Sequence, residues 1–443
     1  MPPTPLTHGV ILSALHSSSG KTATTCALLA ALAQRGLNPR PFKVGPDFID
    51  PQYHRFAAGT SSHNLDLHLM GLDGILHTLA RHADSGIAVV EGVMGLFDGM
   101  SPHTDEGSTA HLATLTDWPV ILVLDASGGG RTLAKTVQSL KQTQVPQLAG
   151  VIVTKSAGPS HTDYLRAAFT SCGIQLLGAL PKSSLLDWQP RYLGLTAPSE
   201  CRPASPDALA AFADEHLDLE AILATCQSGR INLPNSAFHQ PLAVSYEQRT
   251  VAVASDEAFH FLYPAWNEWL INQGFTILPF SPLCDARPPA NADALFLPGG
   301  FPERFAQQLA ANESMRSAIK SLIQNGMPTY AECGGLMYLT ETIVTEDGHP
   351  FPMCGVLPGT SAMSPRLKHF GYCHAGDEQI PGHEFHRSEW TPPTAFSHHA
   401  WQVTHRRSGA SRKEGARIAN LHASYVHLHP ATAGPLVHRI LTR

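Results

Sequence analysis

A chain of 443 residues is longer than one ordinary hydrophobic core organises and fits two domains. Hydrophobic residues make up 43% and charged residues 15%, the profile of a folded, water-soluble chain and not of a disordered one. A formal net charge of −6 without a polybasic block argues against nucleic-acid and membrane-surface partners, and no apolar run reaches the roughly 18–20 residues of a membrane span.

The opening MPPTPLTHGVILSAL has no basic segment before its apolar stretch, so it reads as a first strand and not as a signal peptide. Up to about residue 195, short β-rich runs alternate with helical ones. Strands are expected at 10–15, 39–44, 87–92, 119–125, 148–154 and 174–180, with helical stretches such as KTATTCALLAALAQRG and SHTDYLRAAFTSCG between them. Strands that are apolar throughout and separated by helices imply a parallel sheet covered on both faces, a doubly wound α/β domain. A helix over 205–226 then opens on a Ser-Pro start signal, and the polar stretch 227–241 reads as a linker. A second α/β pattern follows, with strands expected at 250–255, 275–280, 294–300 and 327–333. The expected domains are 1–240 and 241–443, both doubly wound. Eight cysteines without CxxC spacing point to a reducing, cytoplasmic setting, and the 25 histidines are spread along the chain instead of grouped as metal ligands.

Ser17-Ser18-Ser19-Gly20-Lys21-Thr22 follows a strand and opens a helix, the setting a phosphate-binding loop requires. Backbone N–H groups at Ser19 and Gly20 suit phosphate oxygens, Lys21 the terminal phosphates of ATP, and the Thr22 hydroxyl a Mg2+ ion. Leu15 stands where a strict P-loop has glycine. Two further strands end in loops with acidic chemistry, 42–51 (FKVGPDFIDP) and 90–99 (VEGVMGLFDG). Ligands of open α/β sheets bind outside such carboxyl ends, which makes Asp47 and Glu91 candidate Mg2+ ligands.

The second pattern carries a nucleophile. Tyr330-Ala331-Glu332-Cys333-Gly334-Gly335 follows a strand and enters a helix, and glycine after Cys333 permits the sharp turn that exposes a nucleophile. The Gly299-Gly300 segment of LPGGFPE offers backbone N–H groups that, with that of Gly334, suit an oxyanion. For the base, Ser424-Tyr425-Val426-His427-Leu428-His429 offers His427 or His429.

Through SSSGKT, PFKVGPDFIDPQYH, EGVMGLFDG, PGGFPE, YAECGGLMYL, GHEFHRSEW and ASYVHLH the chain resembles the cobyrinate a,c-diamide synthases, glutamine amidotransferases of the cobalamin pathway, over nearly its full length. The resemblance implies an N-terminal domain similar to dethiobiotin synthetase, binding ATP, Mg2+ and the tetrapyrrole, and a C-terminal domain similar to class I glutaminases. It implies Cys333 as nucleophile and His427 as the residue that raises its nucleophilicity. Thr22, Asp47 and Glu91 become the metal shell, Lys21 and Lys43 the contacts to phosphate and carboxylate, and Asp50 a functional carboxylate of the substrate domain. Class I glutaminases ordinarily carry Glu two residues beyond the His, where this chain has His429 and the cobyrinate-type enzymes also lack it. Ser18 replaces a usual Gly, and Thr154-Lys155 stands where Asn is usual near the nucleotide base. The implied reaction is ATP- and glutamine-dependent amidation of the a and c carboxylates of cobyrinic or hydrogenobyrinic acid through acyl phosphates. The implied partners are glutamine, ATP and a corrinoid polycarboxylate, with homodimerisation left open. Alternatives are an acceptor of the cobyric acid or nickel-sirohydrochlorin type, or a P-loop switch ATPase with an inactive glutaminase domain. The segment KVGPDFIDP favours the a,c-diamide type, and the intact Cys333-Gly334-Gly335 argues against inactivity.

Overall fold

A computed structural model describes residues 7–83, 86–143, 147–188, 190–191, 194–195, 204–229 and 248–443. The chain divides into two compact units, residues 1–67 with 71–236, and residues 237–443 with 68–70.

In the first unit, β1 (Thr7–Ala14), β2 (Pro39–Val44), β3 (His63–Leu65), β4 (Ile87–Glu91), β5 (Val120–Asp125), β6 (Leu148–Ser156) and β7 (Leu176–Pro181) form one sheet in the order β3-β2-β4-β1-β5-β6-β7. Every neighbouring pair in that row is parallel. Val10, Ile11 and Leu12 of β1 and Ile121, Leu122 and Val123 of β5 are fully buried, as expected for strands covered on both faces. Helix α1 (Lys21–Gln34) is buried from Thr24 to Leu32, and its alanines and short threonines let it lie close to its neighbours. The sheet extends to either side of β1, so the loops after β1, β2 and β4 share one carboxyl edge, where open α/β sheets bind ligands.

Three expectations need correction here. The strand β3 lies outside every expected run, because three residues are too few to show a period. The single helix expected over 205–226 is two, Pro206–His216 and Leu219–Thr225. Leu217 between them is extended and bridges Gly178, the Asp218 N–H reaches Leu177 O at 2.8 Å, and the Asp218 carboxylate caps Ala221 N at 3.0 Å. The expected linker is in part a strand, since Gln227–Gly229 pairs antiparallel with β1; residues 230–241 lie outside the described residues.

The second unit centres on a six-stranded sheet in the order Phe275–Phe280, Arg249–Ala254, Ala294–Leu297, Thr329–Glu332, Leu421–Ser424, Ala416–Ile418. The first five strands are parallel and the last is antiparallel. Leu295, Leu297, Ala331, Leu336, Leu421 and Ala423 meet in its core. Between 340 and 414 the chain adds strands that the sequence pattern does not predict. A four-stranded sheet contains Thr340–Val344, and a five-stranded one runs from Ser411–Glu414 to the short strand His427–Leu428. Many of these strands are only partly buried and are interrupted by His, Gly and Pro, which blurs their alternation.

Candidate active site

In the first unit, Gly20 caps α1 at φ 87°, a left-handed conformation that frees the loop to turn its amides outward. Ser19 is buried and its hydroxyl donates to His16 O at 2.9 Å, so Ser19 faces any phosphate with backbone alone. Thr154 fastens the loop from the far side by donating to Ser19 O at 2.9 Å. Lys21 donates to the carbonyl of Met94 at 2.6 Å, and Met94 itself sits at φ 46°. Burial, with Lys43 nearby, lowers the Lys21 ammonium to about 8.

Glu91, at the end of β4, is the hub. Its Oε1 accepts from Thr22 Oγ1 at 2.8 Å and lies 3.1 Å from Lys43 Nζ, while Oε2 lies 2.6 Å from His54 Nε2. Lys43 also reaches Asp50 Oδ2 at 2.9 Å and Gly92 O at 3.0 Å. Burial alone would neutralise these groups. Asp50 and Glu91 overcome it and hold Lys43 well above the ordinary lysine range, and Lys43 and His54 hold Glu91 well below the carboxylate range. Asp47 spends Oδ1 on Ile49 N at 2.7 Å and Asp50 N at 3.0 Å. Burial and the nearby Asp47 push the Asp50 carboxyl upward, the mark of crowded negative charge. Thr22, Glu91 and Asp47 are hard oxygen donors beside that charge and fit Mg2+. Beside the loop lies a cavity of about 500 Å³ whose lining includes Gly20, Thr24, Thr154, Lys155, Ser183 and Asp187.

In the second unit, Cys333 is the residue between the strand Thr329–Glu332 and the helix Gly334–Leu339. Its backbone is at φ 44°, ψ −104°, pinned by Cys333 N donating to Ser424 O. It is 6% exposed, and the described cysteines are free thiols. The strand His427–Leu428 pairs with Ile380–His386 and brings the His427 ring within hydrogen-bonding reach of the thiol. Gly299 makes the close approach possible, since a Cβ there would lie 2.4 Å from His427 Cε1 and 3.4 Å from Cys333 Cβ. Gly300 and Gly334 are neighbours, as a Cβ on Gly334 would stand 3.0 Å from Gly300 N. Burial would lower the His427 imidazole, but Cys333 and Glu332 outweigh it and raise it to about 10. The arrangement therefore favours the imidazolium form of His427 beside the sulfur, a cysteine–histidine pair of the kind that serves nucleophilic attack.

Comparison with known proteins places both units. Residues 10–191 match the CobQ/CobB/MinD/ParA nucleotide binding domain, and residues 250–434 the CobB/CobQ-like glutamine amidotransferase domain. Over 443 residues the chain is 38% identical to a cobyrinate a,c-diamide synthase of Listeria monocytogenes, covering 95% of this chain and 96% of that one. The chain belongs to the cobyrinate a,c-diamide synthase family. Other relatives are a hydrogenobyrinate a,c-diamide synthase of Mycobacterium bovis, 38% identical across 98% of this chain and 97% of the relative, and a cobyrinate a,c-diamide synthase of Thermoplasma volcanium, 37% identical across 95% and 93%. The family is one of glutamine amidotransferase ligases with an ATP-using domain, and this chain is such an enzyme. Among the described residues no helix is long and apolar enough to cross a membrane.

The bare residue pattern offers two histidines as the base, of which the resemblance implies His427. His427 lies beside Cys333, whereas His429 Nδ1 accepts from Ala431 N at 3.2 Å and caps the helix Pro430–Leu441. Sequence reasoning missed two site residues. His54, fully buried, holds the second oxygen of Glu91. Glu332 holds Tyr330 OH at 2.7 Å and Leu428 N at 3.2 Å on Oε1, with Oε2 3.4 Å from His427 Nδ1. The signal for Glu332 was available: an acidic residue in an otherwise apolar, parallel-sheet strand is buried and needs partners.

Proposed function

We propose that this chain amidates the a and c side-chain carboxylates of cobyrinic or hydrogenobyrinic acid, with glutamine as nitrogen donor and ATP as activator. The observation that carries the proposal is Cys333, held at a strained turn with His427 against it, in a chain whose other unit presents a phosphate loop. Cys333 Sγ attacks the glutamine side-chain amide, and the N–H groups of Gly300 and Gly334 suit the oxyanion. His427 gives its proton to the departing ammonia and then activates the water that hydrolyses the thioester, releasing glutamate.

In the first unit a substrate carboxylate attacks the γ-phosphate of ATP, giving an acyl phosphate and ADP, because a carboxylate has no adequate leaving group. Lys21 exchanges the Met94 carbonyl for a phosphate oxygen, and Lys43, already oriented by Asp50 and Glu91, supplies a second fixed positive charge. Thr22, Asp47 and Glu91 would hold Mg2+, which when bound offsets charge on the transferring group. Ammonia then displaces phosphate and leaves the amide. The cavity beside Gly20 and Thr154 suits the nucleoside end of ATP.

The test is incubation with glutamine, MgATP and either acid, followed by product mass. The expected product has two carboxylate oxygens replaced by NH groups, and Cys333→Ala forms it from ammonium but not from glutamine. No amide from either nitrogen source, or glutamine use that survives Cys333→Ala, would overturn the proposal.

A further inference from the structure

We infer that Glu332, the residue before the nucleophile, is the positioning carboxylate for His427, replacing the acidic residue that class I glutaminases carry two positions after their histidine. The inference rests on the amidotransferase reading above and adds a residue to it. Position 429 cannot serve, because His429 is spent as a helix cap. Glu332 reaches the ring from the neighbouring strand instead, with Oε2 3.4 Å from His427 Nδ1.

Glu332 is 1% exposed, and its Oε1 accepts two hydrogen bonds. Tyr330, two residues earlier and therefore on the same face of the strand, donates its hydroxyl to Oε1. Leu428 N donates to the same oxygen, which ties Glu332 to the residue next to His427. Oε2 is left facing His427 Nδ1 at 3.4 Å, a separation that suits a resting site whose hydrogen bonds tighten with substrate. A ring held at Nδ1 by a carboxylate presents Nε2 to the thiol in one orientation and with one proton arrangement. The other titratable group on the ring is His383, stacked at 5.1 Å and bonded through Nε2 to Tyr263 OH at 2.8 Å. Burial and His427 hold His383 well below its ordinary range, so it stays neutral beside the His427 ring. Phe261 closes another side without charge.

The test is Glu332→Gln, which keeps the shape and removes the charge. Glutamine hydrolysis is expected to lose about 10- to 100-fold in kcat, the scale of a hydrogen bond to a charged group, with KM for glutamine unchanged. The alkaline limb of its pH profile is expected to move to lower pH, while Glu332→Asp, which retains the charge, keeps the limb in place. Amide formation driven by ammonium is expected to stay at the wild-type rate. An unmoved limb with a near-wild-type kcat overturns the inference, as does a parallel loss of the ammonium-driven reaction. Should Glu332→Gln fail to fold, NMR spectra of the wild-type His427 ring decide: an Nδ1–H proton shifted strongly downfield, the signature of a bond to a carboxylate, supports the assignment, and an Nδ1–H at the ordinary imidazolium position overturns it. A dead Cys333→Ala beside a normal Glu332→Gln would sink this inference alone, whereas an active Cys333→Ala would sink the amidotransferase reading beneath it.

Discussion

Substituting Gly299 by alanine puts one methyl group against both the His427 ring and the Cys333 side chain. The new Cβ would lie 2.4 Å from His427 Cε1, 3.2 Å from Phe261 Cβ and 3.4 Å from Cys333 Cβ. Ordinary contact begins at 3.4 Å, so relief requires the ring to retreat by about 1 Å, and a misplacement of that size costs about 100-fold in rate. The ring cannot retreat freely, because His383 is stacked on it and the backbone of Leu428 is tied to Glu332. Overpacking of this kind also costs about 1–3 kcal/mol of stability, so the assay belongs well below the unfolding transition. Glutamate release from glutamine measures the effect, and amide formation from ammonium in the same preparation is the control. We expect the first to fall about 100-fold and the second to change less than about twofold. A glutaminase rate within about threefold of wild type would refute the close-packing argument, and so would a joint fall of both rates.

Two further outcomes are expected. Lys43→Met leaves Glu91 and Asp50 buried without their cation and should cost about 3–5 kcal/mol at neutral pH by urea unfolding, with the deficit shrinking in acid as the carboxylates take up protons. His427 has a raised folded-state value of about 10, so its stabilising contribution is complete below the ordinary histidine range and is lost as pH rises through about 10; unfolding free energies and glutaminase rates measured between pH 7 and 11 should decline together there, and His427→Gln should flatten the stability trend.

Much of this molecule can be read from its sequence, and the misses have physical causes. The buried strands of both parallel sheets are apolar runs bounded by turn residues, and 39–44 and 275–280 match their strands end to end. The break at Leu217 escapes notice because the helical period continues across it; only pairing with Gly178 and Leu177 shows why the helix stops. The strands between 340 and 414 escape because partial burial leaves no clean alternation. At the sites, Cys333, Lys21 and Thr22 announce themselves through neighbouring glycines and order along the chain. Glu332 and His54 do not, since their importance lies in what they touch: His427 for one, Glu91 for the other. Even Lys43 gains its meaning from Asp50 and Glu91, which sequence can place on one sheet edge but not within 2.9 and 3.1 Å of one ammonium.

The φ of 44° at Cys333 belongs to a region where any side chain strains the main chain by about 1–3 kcal/mol, so the backbone itself would be most at ease with glycine there. The enzyme thus keeps its sulfur at a position where folding alone would discard it. Selection for durability and selection for turnover pull residue 333 in opposite directions, and a chain released from its chemistry would drift toward losing that sulfur first.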